Sequence, residues 1–144
     1  MPSRVVAVDL GTRRIGVAVT DGLGLTAQPL ATIARHGGQR DLDAIAEVVK
    51  RYDAGRIVVG LPLSPEGEVG RAARSVQAFV EGLRGAVSVP IDLIDESFTT
   101  VEAEDVLLEA DLSRARRKQV VDRVAAAVIL RRWMDAHPAG GTSS

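Results

Sequence analysis

The chain contains no cysteine. That absence removes disulfides, thiolate zinc sites and cysteine nucleophiles together. Aromatic residues make up only 3% of it, so the core must be built from Val, Ala, Leu and Ile. Such a core suits a sheet covered by alanine-rich helices better than an aromatic-lined carbohydrate or peptide groove, and it disfavours nucleic-acid binding by base stacking. No strong charge of either sign is present: the formal net charge is −1, which argues against coating nucleic acid by bulk electrostatics. A local basic footprint is still available at Arg114-Ala115-Arg116-Arg117-Lys118. There is no signal peptide and no apolar run long enough to span a bilayer, so the sequence reads as soluble and cytoplasmic, with no membrane partner.

What is present, 144 residues, suffices for about one domain with a real core. The expectation is a single domain over 1–136 and a flexible tail over 137–144, where Pro138-Ala139-Gly140-Gly141-Thr142-Ser143-Ser144 cannot pack. Residues 4–10 read as a short buried strand, Gly11-Thr12-Arg13 as a turn, and 15–20 as a second strand. In that second strand Ile15, Val17 and Val19 share one face, while Gly16 and Ala18 keep the other small. A third strand is expected near 28–33, completing an antiparallel meander. Leu42, Ile45, Ala46, Val49 and Tyr52 follow helical spacing, as do Ala72, Val76, Phe79, Val80 and Leu83. Short strands are expected at 56–60 and 89–95, with a loop over 61–70. Thr99-x-x-Glu102 spells a capping box opening a helix to about Glu109, and Ser113 can cap a last helix running to about Ala136. The order predicts an α/β fold: an antiparallel hairpin region, then right-handed βαβ crossovers. Those crossovers make strands 4–10, 56–60 and 89–95 parallel neighbours in the middle of a mixed sheet.

Three carboxylates sit where a carboxylate is costly. Asp9 interrupts Val5-Val6-Ala7-Val8-Asp9-Leu10, Glu96 ends the apolar run from Val89, and Asp122 shares a helix face with Ala125, Ala126, Ile129 and Trp133. A buried ionised carboxylate must be paired or bound to a cation, or it neutralises. If the fold brings these three together, a hard divalent metal is their natural partner and phosphoester hydrolysis the natural chemistry. Each also has a plainer explanation. Asp9 can close a turn through an Asx-type bond. Glu96 can favour the N-terminus of the following helix. Asp122 can pair with Lys118 one turn away. One metal site explains all three at once. Asp95 rivals Glu96, but the two point to opposite faces if the strand persists.

The stretches Val8-Asp9-Leu10-Gly11-Thr12-Arg13-Arg14-Ile15-Gly16-Val17-Ala18-Val19, Ile57-Val58-Val59-Gly60-Leu61-Pro62-Leu63, Asp95-Glu96-Ser97-Phe98-Thr99-Thr100-Val101-Glu102-Ala103-Glu104 and Lys118-Gln119-Val120-Val121-Asp122 occur in that order. In these blocks the chain resembles the YqgF/RuvX family, described as Holliday junction resolvases and as nucleases that mature the 5′ end of pre-16S ribosomal RNA. The resemblance spans about residues 4 to 135. It implies an RNase H-like fold, a five-stranded mixed sheet flanked by helices, and it implies Asp9, Glu96 and Asp122 as the catalytic, metal-binding residues. One departure is visible: where the family commonly has arginine directly after the glutamate, this chain has Ser97. The basic phosphate contact usual at that point is then either missing or supplied from elsewhere, for example by Arg71 or Arg74.

The expected activity is therefore a metal-dependent endonuclease holding one or two Mg²⁺ or Mn²⁺ ions, with Thr12, Arg13, Arg14, Arg71 and Arg74 as candidate substrate contacts. Its expected partner is nucleic acid, either the 5′ end of pre-16S rRNA or a Holliday junction, and its expected state a monomer or homodimer. Two other classes remain: a non-catalytic nucleic-acid-binding module, and an actin-like ATPase, because Asp9-Leu10-Gly11-Thr12 also opens that superfamily's phosphate motif. Length argues against the ATPase, which needs two domains. His36 and His137 have no partner at ligand spacing.

Overall fold

The computed structural model describes residues 3–11, 13–62, 70–95 and 114–137, with side chains of the last stretch from residue 124 onward. In chain order the elements are β1 (Arg4–Leu10), β2 (Arg14–Thr20), β3 (Ala27–Ala34), α1 (Gly38–Arg51), β4 (Ala54–Leu61), α2 (Arg71–Ala86), β5 (Ile91–Asp95) and α3 (Arg114–Ala136). The five strands form one sheet in the order β3-β2-β1-β4-β5. β1–β2 and β2–β3 are antiparallel, whereas β1–β4 and β4–β5 are parallel. The meander and the parallel crossovers are thus as the sequence pattern predicts. The strand expected at 89–95 differs in two ways: it starts at Ile91 and lies at the sheet edge. Pro90 cannot donate to the ladder, although its carbonyl accepts from the Ile57 amide at 2.9 Å. With no described strand beyond it, β5 leaves Leu93 exposed.

Strand alternation divides the core. Val6, Val8, Ile15, Val17, Val19, Ile57 and Val59 face α1 and α2, meeting Ile45, Val49, Val76, Val80 and Leu83. The alternate positions, Val5, Ala7, Ala18 and Val58, face α3 through Ala126, Ile129 and Leu130. Small residues on this second face let one long helix lie close across the sheet. On α2 the buried stripe runs through Ala73, Val76, Val80 and Leu83, and not through Ala72, which is exposed. The expected helix from Thr99 to Glu109 falls outside the described residues.

The C-terminal part of α3 is tied to the sheet by a polar cluster. Arg56 Nη1 donates to both carboxylate oxygens of Asp92, at 2.8 and 2.9 Å, and the Trp133 indole N–H donates to Asp92 Oδ2 at 2.9 Å. His137, the first residue of the expected tail, stacks on the Trp133 ring with centroids 4.3 Å apart.

Candidate active site

Asp9 is the carboxylate of the trio whose side-chain environment is described. Its neighbours Val8 and Leu10 face α1 and α2, so Asp9 falls with Val5 and Ala7 on the α3 face. It is only 8% exposed. Across the antiparallel ladder its partner is Gly16. On the other side, carrying the parallel ladder one residue past the Val8–Val59 pair sets Asp9 level with Gly60. Gly60 in turn pairs with Ile94 of β5. Residues level on adjacent strands share a face, so both lateral neighbours of this carboxylate lack a side chain. One step back along the strands, the row is Ala18, Ala7 and Val58, which α3 covers. The sheet therefore carries a buried carboxylate flanked by two glycines, beside the row on which the helix rests.

Arg14 lies on the same face, because Ile15 and Val17 belong to the other. Arg13 is exposed in the hairpin turn, and Thr12 lies outside the described residues. Arg71 and Arg74 are exposed at the start of α2. A right-handed crossover starts that helix at the sheet end where β4 finishes, but α2 covers the opposite face from Asp9. The structure thus brings Asp9 and Arg14 onto one face. It sets Arg71 and Arg74 on the other layer.

Glu96 follows the last residue of β5 and lies outside the described residues. On β5, Ile94 packs on the α3 face together with Ala7, whereas Ile91 packs on the other. Position 122 belongs to α3, one turn before Ala126 and two before Ile129. Trp133, Met134 and His137 line a groove with Ser3 and Val5, at the start of β1. The C-terminal end of α3 therefore lies at the end of β1 remote from Asp9. Among the described residues no three His, Asp or Glu converge as a metal cluster.

Among the described residues a second buried carboxylate accompanies this end of the sheet, and the apolar periodicity gave no hint of it. Asp41, in the first turn of α1, accepts the His36 amide on Oδ1 and the Gly37 amide on Oδ2, both at 2.9 Å. Arg35 Nε stands 3.6 Å from Oδ2. Burial raises the pKa of Asp41, but the His36 and Gly37 N–H groups and the Arg35 charge outweigh it, and the carboxyl stays below the ordinary aspartate range. An available signal was the glycine pair with an acid just behind it. Gly37 and Gly38 both take positive φ, 84° and 61°, and an aspartate in a first turn satisfies amides that the helix leaves open.

A family model described as Holliday junction resolvase, RuvX, matches residues 3–136. A protein of Myxococcus xanthus named "Putative pre-16S rRNA nuclease" is 47% identical over 134 residues, covering 93% of this chain and 89% of its own. A protein of Moorella thermoacetica with the same name is 49% identical over 132 residues, covering 92% and 94%. Among solved structures, T. thermophilus RuvC in complex with a Holliday junction substrate superposes with a TM-score of 0.60 at 18% identity, covering 95% of this chain and 97% of that one. At that identity the likeness concerns the fold, an RNase H-like sheet.

Proposed function

The chain belongs to the RuvX family, and from that premise we propose that it is a divalent-metal-dependent nuclease acting in the cytoplasm on the 5′ end of pre-16S ribosomal RNA. The observation that carries the chemistry is Asp9: a buried carboxylate on the central strand of the sheet, with glycine on either side. A buried ionised carboxylate is held by hydrogen bonds, an ion pair or a bound cation, and its oxygens suit a hard divalent ion. The flanking glycines add no side chain of their own beside it, which suits a close approach by an ion or a phosphate. The donor set fits a hard ion, since the candidate ligands Asp9, Glu96 and Asp122 offer oxygen alone and the chain has no cysteine.

Glu96 and Asp122 complete the site in this reading. Alternation along β5, with Ile94 on the Asp9 face, favours Glu96 over Asp95 as the inward carboxylate. The direction of α3 supports Asp122, because residues preceding Ala126 lie toward the Asp9 end of β1. These three would hold Mg²⁺ or Mn²⁺, which when bound lowers the pKa of an attacking water and stabilises charge on the leaving oxygen. The protein's own part is to exclude bulk water through the α3 packing and to orient the phosphodiester. Arg14, on the Asp9 face, is the foremost phosphate contact, with Arg13 at the rim. Arg71 and Arg74 reach a substrate only where it wraps past the sheet end onto the α2 side.

The family description favours one second reading, cleavage of four-way DNA junctions. Incubating the protein with a pre-16S 5′-end RNA and, separately, with a four-way DNA junction, and mapping the cut ends, distinguishes the two. Cuts at the mature 5′ end with the junction intact are expected. Paired symmetric nicks in the junction with the RNA intact would replace the first reading by the second.

A further inference from the structure

The turn between β1 and β2 joins Asp9 to Arg14, and one residue outside the hairpin holds it. Gly11 N–H donates to the Arg14 carbonyl at 2.9 Å, and a Cβ at Gly11 would stand 2.8 Å from that same oxygen, so only glycine closes the turn. The Gly11 carbonyl then accepts Arg35 Nη1 at 2.8 Å. The Arg35 backbone N–H donates to the Arg13 carbonyl at 2.9 Å. Side chain and main chain of one arginine thus hold two carbonyls of one short turn. The guanidinium is itself held from behind, Nε against Asp41, and Asp41 is buried and anchored by the amides of His36 and Gly37. A chain of polar contacts therefore runs from the first turn of α1 through Asp41 and Arg35 to the Gly11 carbonyl, two residues from Asp9.

We propose that Arg35, braced by Asp41, is a positioning residue for the site: it fixes the turn that sets Asp9 and Arg14 relative to each other on the sheet face. The inference rests on the nuclease reading above. Arginine suits the task because its planar fork serves a carbonyl and a carboxylate at once, which the single ammonium of lysine does with far less definition. Arg35 has no part in the chemistry and does not touch substrate. It acts through the turn, and small displacements of reacting groups are costly, about a hundredfold for a shift near 1 Å.

The test uses Arg35→Ala, Arg35→Lys and Asp41→Asn in the full chain, with steady-state kinetics and amide hydrogen exchange read by NMR. For Arg35→Ala the expected result is a kcat lowered about tenfold to a hundredfold, with KM for the nucleic acid unchanged. Exchange at the Gly11 and Arg35 amides should speed up while the Ile57 amide of β4 stays protected. Arg35→Lys should recover part of kcat, and Asp41→Asn should lower kcat in the same sense and by less. A raised KM at unchanged kcat would make Arg35 a substrate contact and overturn the proposal. Unchanged kcat together with unchanged exchange at the turn would also overturn it. Should the wild type cut neither substrate, the nuclease reading is what fails, and exchange at Gly11 and Arg35 still decides whether Arg35 fixes the turn.

Discussion

At the level of single residues, the candidate site is built on one carboxylate and the two glycines beside it. Asp9 was legible because it breaks an apolar run, and burial of that run forces its side chain to the interior. Its setting was less legible. Gly16 showed as a small residue on the minor face of β2, but that it stands directly across from Asp9 is a property of register, which the hairpin and its Gly11 closure fix. Gly60 showed only as the end of a strand. Asp41 went unseen because its partners are backbone amides, and no side-chain pattern announces them. Two predictions belong here. Asp9→Asn, nearly isosteric, should leave the thermal midpoint close to wild type while lowering cleavage by more than the ~10–100-fold that loss of an outer-shell partner costs. Gly16→Val places a branched side chain beside Asp9 on the same face. It should lower cleavage at least ~10-fold, as displacement of reacting groups does, without unfolding a strand that otherwise favours valine. Circular dichroism and cleavage rates, measured on the same preparations, check both.

At the scale of the element, the strands were read to within a residue or two, because period-two alternation on an aliphatic sheet is a strong signal. The stripe of α2 was read correctly at Val76, Val80 and Leu83 and one residue out at its start: Ala72 and Ala73 are identical, and nothing local says which one faces the sheet. The placement of α3 was the least readable element, because three-dimensional contacts far apart in the chain set it. Its anchor is Asp92, whose partners are Arg56 and the Trp133 indole. Asp92→Ala leaves both donors without their acceptor in a half-exposed setting, so a loss of about 1 kcal/mol is expected. Trp133 is the only tryptophan, and its fluorescence in a urea titration reports the loss directly. The start of α1 carries a pH prediction. Asp41 has its folded pKa lowered, so its contribution is fully present above the unfolded value of about 3.9 and is lost as pH falls through the lower folded value. The stability gap between wild type and Asp41→Asn, measured by urea midpoints, should be widest at neutral pH and should narrow in acid.

At the scale of the whole molecule, the sheet order β3-β2-β1-β4-β5 places Asp9 on the middle strand, with α1 and α2 behind it and α3 across its face. That arrangement was recoverable from sequence because short loops and right-handed crossovers leave few alternatives. The edge position of β5 was not, since whether a strand gains a further neighbour depends on the rest of the chain. The modest net charge fits an enzyme that recognises substrate shape with a few local arginines, among them Arg13 and Arg14 near Asp9, better than one that coats its substrate. The proposed function requires a metal ion held around Asp9 to cleave nucleic acid. The decisive assay is cleavage of pre-16S 5′-end RNA and of a four-way DNA junction by wild type and Asp9→Asn, with Mg²⁺, with Mn²⁺ and with EDTA. Wild type should cut one substrate with either metal and neither with EDTA, and Asp9→Asn should cut neither under any condition. Cutting that persists in EDTA or in Asp9→Asn, or wild type that binds both substrates and cuts neither, would contradict the proposed function.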